Sequence, residues 1–221
     1  MPRRALRKIA VDADLSAWLK SLESLQPPLD RQGLFGREAR FEVELGSGKG
    51  LFLSAAAAAT PQTDFLGLEV AGKYARHIAA KLAQRGLDNA RVIHGDGLRV
   101  FREFLGDASV AAIHVYFPDP WWKARHKKRR VINESFLRDV VRTLEPGGSL
   151  HFWTDVEEYF QTALALIAET TPLVGPLDVV EQPAAHDLDF RTHFERRTRL
   201  HALPVYRSEF RKSASPATTS G

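Results

Sequence analysis

The chain of 221 residues contains no cysteine, which excludes disulfide frameworks, thiol nucleophiles, iron–sulfur clusters and thiolate zinc sites together. It also lacks any run approaching the ~18 consecutive apolar residues that a membrane-spanning helix requires. The N-terminus is basic (Arg3, Arg4, Arg7, Lys8), but Asp12 and Asp14 stand where a signal peptide would carry an unbroken apolar stretch. The chain therefore reads as cytoplasmic, with no membrane partner. Its histidines show neither E-x-x-H nor H-x-x-x-H spacing, so no metal is expected. Charge of one sign is also scarce: 31 Lys plus Arg against 27 Asp plus Glu gives a formal +4. A pI near 9.5 is a modest pointer to a polyanionic partner, and its weight depends on where the charge sits. The length suits one compact domain and excludes a two-enzyme fusion, while 44% hydrophobic residues suffice for a core without staples.

From Phe41 onward, short apolar runs alternate with amphipathic stretches, a pattern that predicts an α/β fold with a mostly parallel sheet. Strands are expected at 41–45, 64–70, 90–94, 110–117 and 149–153, and helices at 51–59, 73–85, 98–104, 134–144 and 157–169. Pro and Gly punctuation at Thr60-Pro61, Gly86, Pro118-Asp119-Pro120 and Glu145-Pro146-Gly147-Gly148 separates them. Asn133 is placed to cap the helix that follows it. Runs near 178–180 and 200–210 predict an antiparallel hairpin at one sheet edge. Residues 1–35 read as an N-terminal arm and helix, 36–212 as the main domain and 213–221 as a disordered tail.

Glu44-Leu45-Gly46-Ser47-Gly48-Lys49-Gly50 lies where the first of these strands feeds a helix, so Gly46, Gly48 and Gly50 allow a sharp turn and close approach of a ligand. The run is no phosphate-binding P-loop, because Val43 and Gly50 stand where glycine and Ser or Thr are required. Its G-x-G-x-G spacing also departs from the dinucleotide fingerprint. Acids recur at strand ends: Glu44, then Glu69, which can accept ribose hydroxyls, then Asp96, which can accept from an adenine amino group. Such a pocket disfavours a pyrophosphate and suits a cationic nucleoside such as S-adenosylmethionine.

Asp119 ends the fourth of these strands between two prolines, followed by Trp121, Trp122 and Lys123. With E-x-G-x-G-x-G, the F-P-D-P-W-x-K run, Thr154-Asp155 and T-x-F-E at 192–195, the chain resembles the bacterial tRNA (guanine-N7-)-methyltransferases, the TrmB family, from about Phe41 to Phe210. The resemblance implies a Rossmann-like, S-adenosylmethionine-dependent methyltransferase fold, and methyl transfer to the guanosine at position 46 in the tRNA variable loop. It also implies that Glu44, Glu69, Asp96 and Asp119 serve the cofactor, with Asp119 catalytic. By the same comparison Lys123, Asp155, Thr192, His193, Phe194 and Glu195 contact substrate. His193 stands where the family commonly has lysine, and Trp122 where several relatives have proline or histidine.

Lys123 to Arg130 carries six formal positive charges in eight residues, which makes Arg125, Lys127, Lys128, Arg129 and Arg130 candidates for the RNA backbone. Arg191, Arg196, Arg197 and Arg199 form a second basic cluster. One of Trp121 and Trp122 is expected to pack and the other is open to base stacking; Trp18 and Trp153 are assigned to packing. Methylation of another RNA or a small molecule, a non-catalytic RNA-binding protein and a nicotinamide oxidoreductase stay open as alternatives, as do monomer and homodimer.

Overall fold

The computed structural model describes residues 14–181, 183 and 190–214, apart from the side chains of Ala124 and Lys127. The basic residues Arg3, Arg4, Arg7 and Lys8 and the expected tail beyond Ala214 lie outside the described residues. In chain order the elements are β1 (Leu19–Ser21), α1 (Arg31–Phe35), β2 (Arg40–Leu45), α2 (Leu51–Ala59), β3 (Thr63–Glu69), α3 (Gly72–Gln84), β4 (Ala90–His94) and α4 (Gly97–Arg99). They continue as β5 (Val110–Tyr116), α5 (Glu134–Thr143), β6 (Leu144–Thr154), α6 (Glu157–Thr170), β7 (Val174–Leu177), α7 (His193–Leu200) and β8 (Tyr206–Arg211).

All eight strands join one sheet in the order β1-β4-β3-β2-β5-β6-β8-β7. The first six run parallel, and β8 is antiparallel to both β6 and β7. β3 and β5 are buried along their whole length, in keeping with the mostly apolar stretches 65–68 and 110–113 that they carry. On one face the sheet packs against α5 and α6, around Phe101, Phe136, Phe152 and Tyr159. On the other, α2 and α3 bury Leu53, Ala75, Ile78 and Leu82. A third, aromatic cluster of Phe52, Tyr116, Phe117 and Trp153 lies beside α2.

Local chemistry sets the boundaries. The alanine-rich α2 starts at Gly50 and stops at Thr60-Pro61, while Asn133 caps α5 by accepting from the Phe136 amide at 3.0 Å. Three departures from expectation have physical reasons. Leu19–Ser21, expected within an N-terminal arm, pairs with β4 as an edge strand, and the adjoining Leu22 is buried in the main core. β6 begins at Leu144 rather than Ser149, because Glu145–Gly148 forms a bulge inside the strand that Lys212 bridges through two backbone hydrogen bonds of 2.9 Å. At the other edge of the sheet 174–177 is the outermost strand and 206–211 lies between it and β6, the two being separated in the chain by α7 rather than joined by a tight hairpin. Among the described residues, no helix is long and apolar enough to cross a membrane.

Gly50 has φ +65°, and a Cβ there would lie 2.8 Å from Cγ1 of the fully buried Ile78. Gly50→Ala combines a left-handed backbone with overpacking of the α2–α3 contact and is expected to cost about 3 kcal/mol in urea unfolding. A loss below about 1 kcal/mol would show that the turn relaxes freely.

Candidate functional site

The carboxyl ends of the parallel strands form one rim. At β2 the chain turns through Gly46, Gly48 and Gly50, all with positive φ, and the amides of Gly46 and Ser47 donate to the Leu68 carbonyl at 2.9 and 3.1 Å. Glu69, at the end of β3, holds the turn from the other side. Its Oε2 accepts from the Gly48 amide at 2.7 Å and its Oε1 from the Ala71 amide at 2.8 Å. Lys81 reaches across from α3 to the Gly50 carbonyl at 3.4 Å.

Glu44 is 3% exposed, and its Oε2 has no hydrogen-bond partner; the neighbouring Ser47 Oγ is likewise buried and unpartnered. Burial lifts the Glu44 carboxyl from 4.5 to about 7, with Ser47 and Lys81 opposing the rise and Glu69 adding to it. A carboxyl pushed toward its neutral form, with one oxygen unpartnered beside a glycine turn, fits a ligand that brings its own positive charge and donors. Asp96 follows β4 as the N-cap of α4. Its Oδ1 accepts from the Leu98 amide at 2.9 Å, while the residue itself is exposed.

Asp119 follows β5 on a constrained segment. Phe117 and Trp121 both have positive φ, +50° and +47°, in positions where neither is glycine. Such residues each cost about 1–3 kcal/mol and persist only where their surroundings hold them. The Phe117 amide donates to the Trp153 carbonyl at 2.8 Å, and the Pro120 carbonyl accepts from Arg130 at 2.9 Å. Between these anchors Asp119 is exposed, and among the described residues nothing pairs with its carboxylate. Lys123 and Asp155 are also exposed on the same rim.

The basic stretch forms a 3₁₀ turn over Ala124–Arg129. Arg125, Lys128 and Arg129 are exposed, and the Arg129 guanidinium covers the Trp121 ring at 5.1 Å. Arg130 differs from its expected role. It is 6% exposed, pairs with Glu158 at 2.6 Å and stacks on Tyr159 at 4.5 Å, so it anchors the loop and is not presented to a phosphate. The Lys127 side chain lies outside the described residues.

The T-x-F-E run also carries a structural duty that its spacing signals and the sequence reading missed. Thr192 caps α7 by accepting from the Glu195 amide at 3.0 Å, and Glu195 Oε2 accepts from the Arg191 amide at 2.6 Å, a variant of the capping box. Glu195 is buried, and its Oε1 takes Arg207 at 3.1 Å and Arg199 at 3.4 Å. Both proposed substrate contacts are thus committed to the start of the helix. The second basic cluster divides accordingly: Arg199 pairs with Glu181 and Glu195, and Arg191 lies over Phe52 and Trp153. His193 opens α7 as an exposed residue, its imidazole held below the ordinary value by partial desolvation and then by Lys81, Lys49, Arg196 and His77. Phe194 is 41% exposed and stacks on Phe117 at 6.1 Å. Beneath the rim, His114 is satisfied by Glu42 and by the Tyr116 hydroxyl, each at 2.9 Å.

Residues 38–208 match the family model described as "Putative methyltransferase". A tRNA (guanine-N(7)-)-methyltransferase of Rhodopirellula baltica is 47% identical over 218 residues, covering 96% of this chain and 80% of the relative. The enzyme of that description from Methylococcus capsulatus is 34% identical over 224 residues, 96% of each chain. The chain belongs to the tRNA (guanine-N7-)-methyltransferase family. Among solved structures, the antibiotic-resistance methyltransferase Kmr superposes with a TM-score of 0.54 at 18% identity, over 81% of this chain and 89% of that one. A SAM-dependent O-methyltransferase from Thermotoga maritima gives 0.53 at 16% identity, over 81% and 62%. At that identity the likeness concerns the fold alone, and it agrees with the sheet of this family member.

The raised Glu44 value carries a stability consequence. Because the folded carboxyl holds its proton to higher pH than the unfolded one, stability present below about pH 4.5 is lost as pH rises through about 7. The loss is on the order of 3 kcal/mol for the ligand-free protein. Urea unfolding at pH 5 and pH 8 should show it, and Glu44→Gln should flatten the difference. Equal slopes in the two proteins would contradict the burial argument.

Proposed function

We propose that this chain transfers a methyl group from S-adenosyl-L-methionine to N7 of the guanosine at position 46, in the variable loop of tRNA. The observation that carries the reading is the row of carboxylates on adjacent strand ends. Glu44, Glu69 and Asp96 line one part of the rim, and the exposed Asp119 stands on the next strand, over a cationic turn. The names of the relatives support the same substrate and the same atom.

Glu44, Glu69, Asp96 and the turn through Gly46, Gly48 and Gly50 are the residues that would hold the methyl donor. Bound there, S-adenosyl-L-methionine supplies an electrophilic methyl carbon. The glycine turn brings the main chain close, and Glu69 keeps the turn in shape through the Gly48 amide. Guanine N7 already presents a lone pair, so the protein's task is positioning rather than proton abstraction. Asp119 accepts from the guanine N–H groups and, as a fixed negative charge, favours the positive charge that the purine gains on alkylation. The strained backbone on either side limits how far its carboxylate can stray. Lys123, Arg125, Lys128 and Arg129 contribute attraction for the phosphodiester backbone and no chemistry. Asp155, His193 and Phe194 border the same opening as substrate contacts. Thr192 and Glu195 act through the placement of α7.

Incubation with unmodified tRNA transcript and methyl-labelled S-adenosylmethionine, then nuclease digestion and mass spectrometry, tests cofactor, substrate and atom together. Label in 7-methylguanosine from the variable loop is expected; its absence from a protein that binds the donor would overturn the reading. Asp119→Asn should lose roughly 100-fold in turnover while donor affinity changes far less. Lys128→Ala combined with Arg129→Ala should raise the KM for tRNA and make the log–log salt dependence of binding shallower by about two. An unchanged slope would exclude both side chains from phosphate contact.

A further inference from the structure

Of the protein's four Trp, four Tyr and thirteen Phe, only Trp122 and Phe194 are exposed. Both lie beside the same short segment. Phe194 stacks on Phe117, two residues before Asp119, and Trp122 follows Asp119 by three. The two rings differ in how far the fold uses them. Phe194 has Phe117 on one side and the Arg197 guanidinium at 4.8 Å from its centroid. Trp122 is 69% exposed, and among the described residues it makes no contact with a ring or a cation. Its neighbour Trp121 took the packing role, with His126 edge-on at 5.8 Å and Arg129 over its face.

An indole left in water next to a catalytic carboxylate contributes nothing to the core, so packing does not explain it. Its surroundings are those of a nucleic-acid platform: Lys123, Arg125, Lys128 and Arg129 are exposed on the same loop. An aromatic face interleaved with cations binds bases by stacking, largely without regard to their identity. Guanine N7 lies on the major-groove edge, and a guanine drawn out of its stack toward Asp119 would leave a neighbouring base without its partner.

We propose that Trp122 is a positioning residue for the substrate, its indole stacking on a nucleobase that loses a neighbour when the target guanine is drawn to Asp119. The proposal rests on tRNA being the substrate. It assigns Trp122 to RNA affinity and alignment, and leaves the methyl transfer itself to Asp119.

The experiment compares Trp122→Ala and Trp122→Phe with the parent protein in steady-state methylation and in tRNA titrations followed by intrinsic fluorescence without methyl donor. Trp122→Ala should raise the KM for tRNA on the order of tenfold, with donor affinity and thermal midpoint unchanged, and Trp122→Phe should recover most of the loss. Added tRNA should quench the parent's fluorescence, and most of that quench should vanish in Trp122→Phe. A parental KM and an undiminished quench in the variants would overturn the proposal. So would a change confined to self-association in sedimentation, which would mark the indole as a contact between copies. Because the titration needs no methyl donor, it separates the two ideas. A parent that forms no 7-methylguanosine defeats the functional reading, whereas a quench unaffected by Trp122 defeats this one.

Discussion

Six neighbouring strands running in one direction bring all their carboxyl ends to the same rim, and the placement of Glu44, Glu69, Asp96 and Asp119 follows from that alignment. In the order β4-β3-β2-β5 the strands that end in or lead to Asp96, Glu69, Glu44 and Asp119 are immediate neighbours. At the usual strand spacing they span roughly 15 Å, so residues 75 positions apart in the chain come to one rim. The parallel arrangement needs helices on both faces, and those helices bury Glu44 and Glu69 while leaving Asp96 and Asp119 exposed. Burial pushes the Glu44 carboxyl toward its neutral form.

The rim is completed from the C-terminal part of the chain by a different device. Antiparallel β8 brings Arg207 beneath α7, where the buried Glu195 carboxylate joins the helix start, the helix body and the strand through Arg191, Arg199 and Arg207. This fixes the start of α7, with His193 at its first position and Phe194 on Phe117. A substitution at Glu195 would leave buried guanidinium groups without a partner as well as remove a cap, so lost activity there would report assembly of the site rather than a contact with RNA.

Much of this was legible in the residues. Strands buried on both faces, such as β3 and β5, carry mostly apolar stretches (65–68, 110–113) with punctuated ends, and their boundaries fall within a residue of expectation. The acids at strand ends could be found because strand, turn and helix signals agree around each. Elsewhere the local signal pointed astray. The Pro-Gly-Gly run after α5 reads as a turn, yet hydrogen bonds from Lys212, over 60 residues away, keep it in β6. Thr192-His193-Phe194-Glu195 carries a capping signature, but attention to its binding residues hid the helix. Arg130 is indistinguishable in sequence from the arginines beside it; only the position of Glu158 and Tyr159 on α6 separates an anchor from a contact.

That anchor also bears on how such a protein diversifies. One guanidinium, fixed on α6 and donating to the Pro120 carbonyl, closes the base of the loop from Trp121 to Arg129. The loop's ends are thus set by the core, whereas Trp122, Lys123, Arg125 and Lys128 stand exposed between them. Substitutions at those four positions disturb little that the core depends on. Under the proposed function, substrate preference can drift through these positions one residue at a time while the core keeps Asp119 where it is.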